Sequence, residues 1–163
     1  SGAIATRLAD SVTGAGDATT FNSTEGVLYA EIVALVEADG ARRFITLNDG
    51  TSSNAVVLRY EETGVIHARY QIDGVAQCSM SFATTITDTH KVAFKYAEND
   101  FSLWIDGVEV GVDGVGNVLA TNTINNIDFD SGNGNFPFYG KVKSLITFDT
   151  ALTDAELECL TTI

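Results

Sequence analysis

HKVAFKYAENDFSLWIDGVEVG, residues 90 to 111, decides how the chain folds. Val92, Phe94 and Tyr96 alternate with Lys91, Ala93 and Lys95, and Phe101, Leu103 and Ile105 alternate with Ser102, Trp104 and Asp106. A period of two gives each segment one apolar and one wetter face, the mark of a half-buried strand. Asp106-Gly107 supplies the positive φ that a tight hairpin turn needs. Trp104, the only tryptophan, therefore falls on the face opposite the buried one.

The same pattern extends outward in both directions. In GVIHARYQIDG, residues 64 to 74, Ile66, Ala68, Tyr70 and Ile72 oppose Val65, His67, Arg69 and Gln71. AVVLRYEE (55 to 62) and NTINNIDFD (122 to 130) add two strands. VLYAEIVALVE (27 to 37) is apolar on both faces, and its β-branched and aromatic content between Gly26 and Asp39-Gly40 favours a central strand over a helix. Further Asp-Gly pairs at 49-50, 73-74 and 113-114 punctuate many short strands. Near the end, Thr153 as cap and Glu156 three residues on form a capping box, and Ala155, Leu157 and Leu160 give a short helix its apolar side. The prediction is an all-β, antiparallel two-sheet jelly-roll sandwich with a short C-terminal helix.

The chain has 163 residues, a normal length for one domain with its own core. Residues 1 to 25 are less clearly patterned and read either as an extended first strand and loop or as a junction, and Ser1-Gly2 reads as a tag-cleavage scar. Hydrophobic residues make up 45% and charged ones 19%, a globular balance, and no apolar run approaches the roughly 18 residues of a membrane span. The net charge of −13, with nine Lys and Arg in no run, argues against a nucleic-acid partner, because phosphate backbones are met by clustered cations. Cys78 and Cys159 lack the close Cys or His neighbours of a zinc site and read as two buried free thiols.

Catalytic patterns are scarce. The only histidines, His67 and His90, have no nucleophile motif around them. A retaining glycosidase places two carboxylates about 5 Å apart, and Glu61-Glu62, being neighbours, face opposite sides of a strand. A polar face carrying Arg59, His67, Arg69, Gln71, Lys95 and Trp104 suits a glycan better, since sugars present apolar C–H faces and a rim of hydroxyls. Trp104 is then either a stacking platform or a cover over the sheet. DFDSGNGN, residues 128 to 135, offers Asp128, Asp130, Asn133 and Asn135 as oxygen ligands for calcium, or as turn residues bonding their own backbone.

Four runs carry a family likeness: RRFITLNDG, AVVLRYEETGVIHARYQIDGV, the opening stretch, and FYGKVKSLITFDTALTDAELECLTT. Together they resemble concanavalin A-like, laminin-G-type jelly rolls from about residue 26 to the C-terminus, in the flavour found in phage tail-fibre and other virion structural proteins. The resemblance implies a fold with an aromatic before "IDG" that projects away from the sandwich core, here Trp104. It further implies a non-catalytic carbohydrate-binding module, an adhesin or decoration domain at an extracellular or virion surface. Its partners would be a glycan or polysaccharide and neighbouring subunits of a larger assembly. A ligand-free structural module and a polysaccharide lyase or hydrolase are the rival expectations. The expected contacts are Trp104, Arg69, His67, Lys95 and Arg59, with Asp130 and Asn133 reaching in from a loop.

Overall fold

The computed structural model describes residues 15–35, 42–61 and 64–163. Residues 36 and 37 of the first expected strand, the Asp39-Gly40 turn, Glu62 and the Ser1-Gly2 pair lie outside the described residues. Among the described residues the order is β1 (Gly26–Ala34), β2 (Arg43–Asn48), β3 (Ala55–Glu61), β4 (Val65–Ile72), β5 (Val75–Ala83), β6 (His90–Tyr96), β7 (Phe101–Ile105), β8 (Val108–Asp113), β9 (Asn126–Asp128), β10 (Gly140–Phe148) and the helix α1 (Asp154–Thr161). The strands form two five-stranded antiparallel sheets, β10-β1-β6-β7-β8 and β5-β4-β3-β2-β9. The jelly-roll sandwich read from the sequence is therefore the fold.

Alternation fills the space between the sheets. Leu28, Ala30, Ile32, Val92, Phe94, Tyr96, Phe101, Leu103 and Ile105 from the first sheet meet Ile45, Leu47, Val56, Leu58, Tyr60, Ile66, Ala68 and Tyr70 from the second in one buried cluster. Two core tyrosines of opposite sheets, Tyr70 and Tyr96, lie with ring centroids 5.5 Å apart, and each ends in a phenol that must find a partner. Tyr70 donates to the Ser23 carbonyl (2.6 Å) and accepts from the Leu119 N–H (2.9 Å), while Tyr96 donates to the Asn22 carbonyl (2.8 Å). These bonds tie the chain before β1 onto the sandwich. Phe21 is buried there, and Ala15 forms an isolated bridge with Ile127.

Several elements differ from the sequence reading. The strand expected over 122 to 130 shrinks to β9, because Asn122 adopts φ 62° and the chain after Asp128 leaves the ladder. The helix is capped as expected: the Thr153 N–H donates to the Glu156 carboxylate at 2.8 Å, and the Glu156 N–H donates to the Thr153 hydroxyl. Leu157 is buried and Leu160 half-buried, but Ala155 points to solvent. Cys78 is buried, and burial pushes its thiol up to about 12 with a smaller push from Asp113. Cys159 is instead exposed on α1, because it falls on the helix side away from Leu157. Both thiols are free.

Candidate functional site

The polar residues grouped by period two occupy two different surfaces. Trp104 and Lys95 project from the outer side of the first sheet, whereas Arg59, His67, Arg69 and Gln71 project from the outer side of the second. Strand periodicity says which residues point outward but not from which sheet.

The outer side of the first sheet is closed around Trp104. α1 lies across it, and Trp104 packs with Val27, Tyr29, Ala93 and Leu157, flanked by Phe148, Leu152 and Leu160. Its indole is 7% exposed and donates to the Ser102 hydroxyl at 3.1 Å. A sugar ring has no access to a face covered in this way, so the platform reading of Trp104 is overturned and the covering one holds. Lys95 is equally buried, its ammonium 2.7 Å from Asp100 and 3.8 Å from Asp154 in the first turn of α1. It braces the helix against the sheet and is not available to a ligand.

The second sheet presents an open, basic outer side. Antiparallel register brings Phe44, Arg59, His67 and Ser81 into one cross-strand row and Thr46, Val57, Arg69 and Ser79 into the next. Arg59 and Arg69 project from this outer side, whereas Arg43 shares the inward phase of Ile45 and Leu47 and is buried against the Tyr139 ring. The Arg59 guanidinium pairs with Glu61 and lies 5.2 Å from the centroid of the Phe44 ring. Arg69 donates to the Gly74 carbonyl at 3.4 Å, and Gln71 donates to the Ser52 carbonyl. The His67 Nε2 sits 3.1 Å from the Ser79 hydroxyl. Arg59 Nε, Arg69 Nε and His67 Nδ1 are buried, and none meets a hydrogen-bond partner among the described residues.

Electrostatics keep His67 neutral. Burial comes first and the Arg59 charge second in pushing its imidazole down to about 4, against a smaller opposing pull from Glu61. Burial also lowers the Arg59 pKa, with the Glu61 charge opposing it. Among the described residues no carboxylate orients His67 Nδ1, so the His67–Ser79 contact lacks the third member of a hydrolytic triad. His90, the other histidine, is buried, with Nδ1 2.6 Å from the Asp106 carboxylate and Nε2 3.1 Å from the Thr85 carbonyl, and it fastens the 106–107 turn to β6.

The 128–135 loop folds over the other half of this sheet. Asp128 accepts from Asn48 (2.8 Å), Asp130 accepts from the Gly132 and Gly134 N–H groups (2.6 and 3.2 Å), and Asn133 accepts from Ser131 and from the Asn135 amide groups. Asn133 in turn donates to the Ser52 hydroxyl at 3.3 Å, which joins the loop to the 49–54 turn. Thr46 and Asn48 are sealed beneath it. Gly132, at φ 81°, passes so close that a Cβ there would lie 2.6 Å from the Thr51 carbonyl oxygen. The four oxygen-bearing side chains expected to hold calcium thus serve turn and loop bonds, and no group of three or more His, Cys, Asp or Glu converges as a metal site among the described residues.

Sequence reasoning missed Phe136. The loop continues along β2, where the Phe44 N–H donates to the Phe136 carbonyl at 3.3 Å, and the Phe136 ring stacks on Phe44 with centroids 5.6 Å apart. Phe136 is 49% exposed. The signal available was a lone aromatic between a Gly/Asn-rich turn and the chain's only proline, Pro137.

No protein-family model matches the chain, and no curated protein sequence does. Solved structures do. The CBM40 of the Ruminococcus gnavus IT-sialidase, bound to α2,3-sialyllactose, is 16% identical, with a TM-score of 0.73 over 96% of this chain and 97% of that one. The same CBM40 bound to α2,6-sialyllactose is 15% identical, with a TM-score of 0.71 over 95% and 97% of the two chains. The NanB sialidase of Streptococcus pneumoniae matches over 94% of this chain but 26% of its own, at 12% identity and a TM-score of 0.71. At these identities the likeness is one of architecture, and the architecture is the jelly-roll sandwich of the CBM40 domains.

Proposed function

We propose that the protein is a non-catalytic carbohydrate-binding module that holds an acidic glycan on the outer side of the second sheet. The observation that carries this reading is the cross-strand gathering of Arg59, His67 and Arg69 on one partly exposed sheet face. Guanidinium groups pair with carboxylates through charge-assisted hydrogen bonds, and flanking hydroxyls add further polar partners. Support also comes from the CBM40 neighbours that hold sialyllactose, a sugar with one carboxylate, on a fold that this chain matches nearly end to end. The module would serve as an adhesin or decoration domain at an extracellular or virion surface.

The test is a glycan array followed by titration calorimetry, with the wild type beside Arg59→Gln and Arg69→Gln after circular dichroism has shown both variants folded. Retention of acidic glycans by the wild type and loss of at least tenfold in affinity in each variant is the expected result, since charge-assisted bonds contribute about 1.5–3 kcal/mol. Retention of neutral glycans only, or of none, refutes it. Failure to bind any glycan together with stable oligomers would make the domain a structural module of a larger assembly.

A further inference from the structure

The geometry points to a second sugar subsite at Phe136, so that the ligand is an acidic glycan of at least two residues rather than a single acidic sugar. This inference rests on the proposed glycan-binding reading and names the length and shape of what is bound. Three observations meet at Phe136. Its ring is 49% exposed and stacks on Phe44 at 5.6 Å, while the Arg59 guanidinium lies 5.2 Å from that same Phe44 ring. Phe44, Arg59 and His67 share one cross-strand row, so Phe136 lengthens the row beyond β2. And Phe136 adopts φ 54°, the left-handed region, where a bulky residue is an outlier and glycine would be at ease.

The third observation separates a functional role from mere covering. A ring needed only to shield Phe44 gains nothing from a position that penalises every side chain, and strain of this kind concentrates where a side chain must be aimed at something. The ring is half exposed and lies beside a cationic row. An aromatic face attracts the C–H face of a pyranose, and the adjacent arginines attract a carboxylate. Phe44 lies 5.2 Å from the Arg59 guanidinium and 5.6 Å from the Phe136 ring, and two linked sugar rings would span the three. The acidic residue lies over Arg59 and Arg69, and its neighbour stacks on Phe136.

The experiment compares acidic monosaccharides (free sialic, glucuronic and galacturonic acids) with sialyllactose and with oligogalacturonides by titration calorimetry. It uses the whole chain as wild type, Phe136→Gly, Phe136→Trp and Arg69→Gln. The expected wild-type result is an oligosaccharide bound about tenfold more tightly than its acidic monosaccharide, the scale of one aromatic contact. That ratio should collapse towards one in Phe136→Gly, persist in Phe136→Trp, and stay unchanged in Arg69→Gln, where both affinities fall together. Thermal melting of Phe136→Gly should be no lower than that of the wild type. Equal wild-type affinities for monomer and oligomer, or a ratio that survives Phe136→Gly, overturn the second subsite while leaving the glycan-binding reading intact. A marked loss of stability in Phe136→Gly with an unchanged ratio makes the ring a cover for Phe44. If no acidic sugar of any length binds the wild type, the glycan-binding reading falls, and the subsite falls with it.

Discussion

Replacing Trp104 by alanine should unfold the protein more readily without touching glycan binding. The indole is 7% exposed and fills the space between α1 and the first sheet, against Val27, Tyr29, Ala93 and Leu157. Removing a buried Trp side chain costs about 3–5 kcal/mol, lost transfer energy and residual cavity together. Two features set the position within that range. One wall of the cluster is a single two-turn helix, and a short element can settle partly into the gap, which favours the lower end. Against this, the Ser102 hydroxyl, buried beneath, loses its bond to Trp104 Nε1, for about 1 kcal/mol more. A loss of roughly 3–4 kcal/mol lowers the melting temperature of a chain this size by about 10 °C. Because Trp104 is the only tryptophan, the assay is calorimetry or far-ultraviolet circular dichroism rather than tryptophan fluorescence. Trp104→Phe should recover more than half of the loss. A variant less than 1 kcal/mol below wild type that no longer retains glycan would refute this placement and return Trp104 to the ligand.

Two further predictions concern charge. The His67 pKa, about 4 in the folded chain against about 6.5 unfolded, makes the neutral ring the stabilised form. Its contribution is therefore complete above pH 6.5 and is lost progressively as pH falls to 4. Partial exposure of the ring damps the effect, so stability should fall shallowly over that window and the slope should flatten in His67→Gln; an NMR resonance that is lost in His67→Gln and titrates near 6.5 in the wild type would contradict it. The second concerns Asp130, which accepts from the Gly132 and Gly134 N–H groups. Asp130→Ala should lower the melting temperature equally in calcium and in chelator, whereas a calcium-dependent rise in the wild type that the variant lacks would assign the loop to a cation.

Much of the fold was legible because its determinants are local. Alternation in residues 64–74 and 90–105 gives the correct inward faces, and the Thr153–Glu156 pair places the helix start, since each depends on neighbours a few residues away. The site was half legible for the same reason. Arg59, His67 and Arg69 come from adjacent strands and do share a face. Trp104 and Lys95 have the same outward phase, but their burial is decided by α1, some fifty residues later, and no local period carries that information. Phe136 was hidden differently. Its alignment with Phe44 rests on a loop crossing from β9, and loop paths follow long-range bonds such as Asn133 to Ser52 rather than a repeating pattern.

On the proposed reading, the placement of Arg59 and Arg69 on one sheet face would also govern how an acidic glycan arrives. The whole chain carries a net charge of −13, so an acidic polymer at a distance meets repulsion, and only within about one screening length, roughly 10 Å at 0.1 M salt, does the local positive face outweigh it. Salt then acts in two opposed ways, shielding the repulsive body during approach and weakening the guanidinium contacts after it. Association should quicken as salt is raised from very low ionic strength while dissociation quickens too, so affinity passes through a shallow maximum instead of the steady decline of a uniformly cationic binder. On that reading, a basic face on an acidic chain would act as a filter that rejects polyanions held at arm's length and retains those pressed against it.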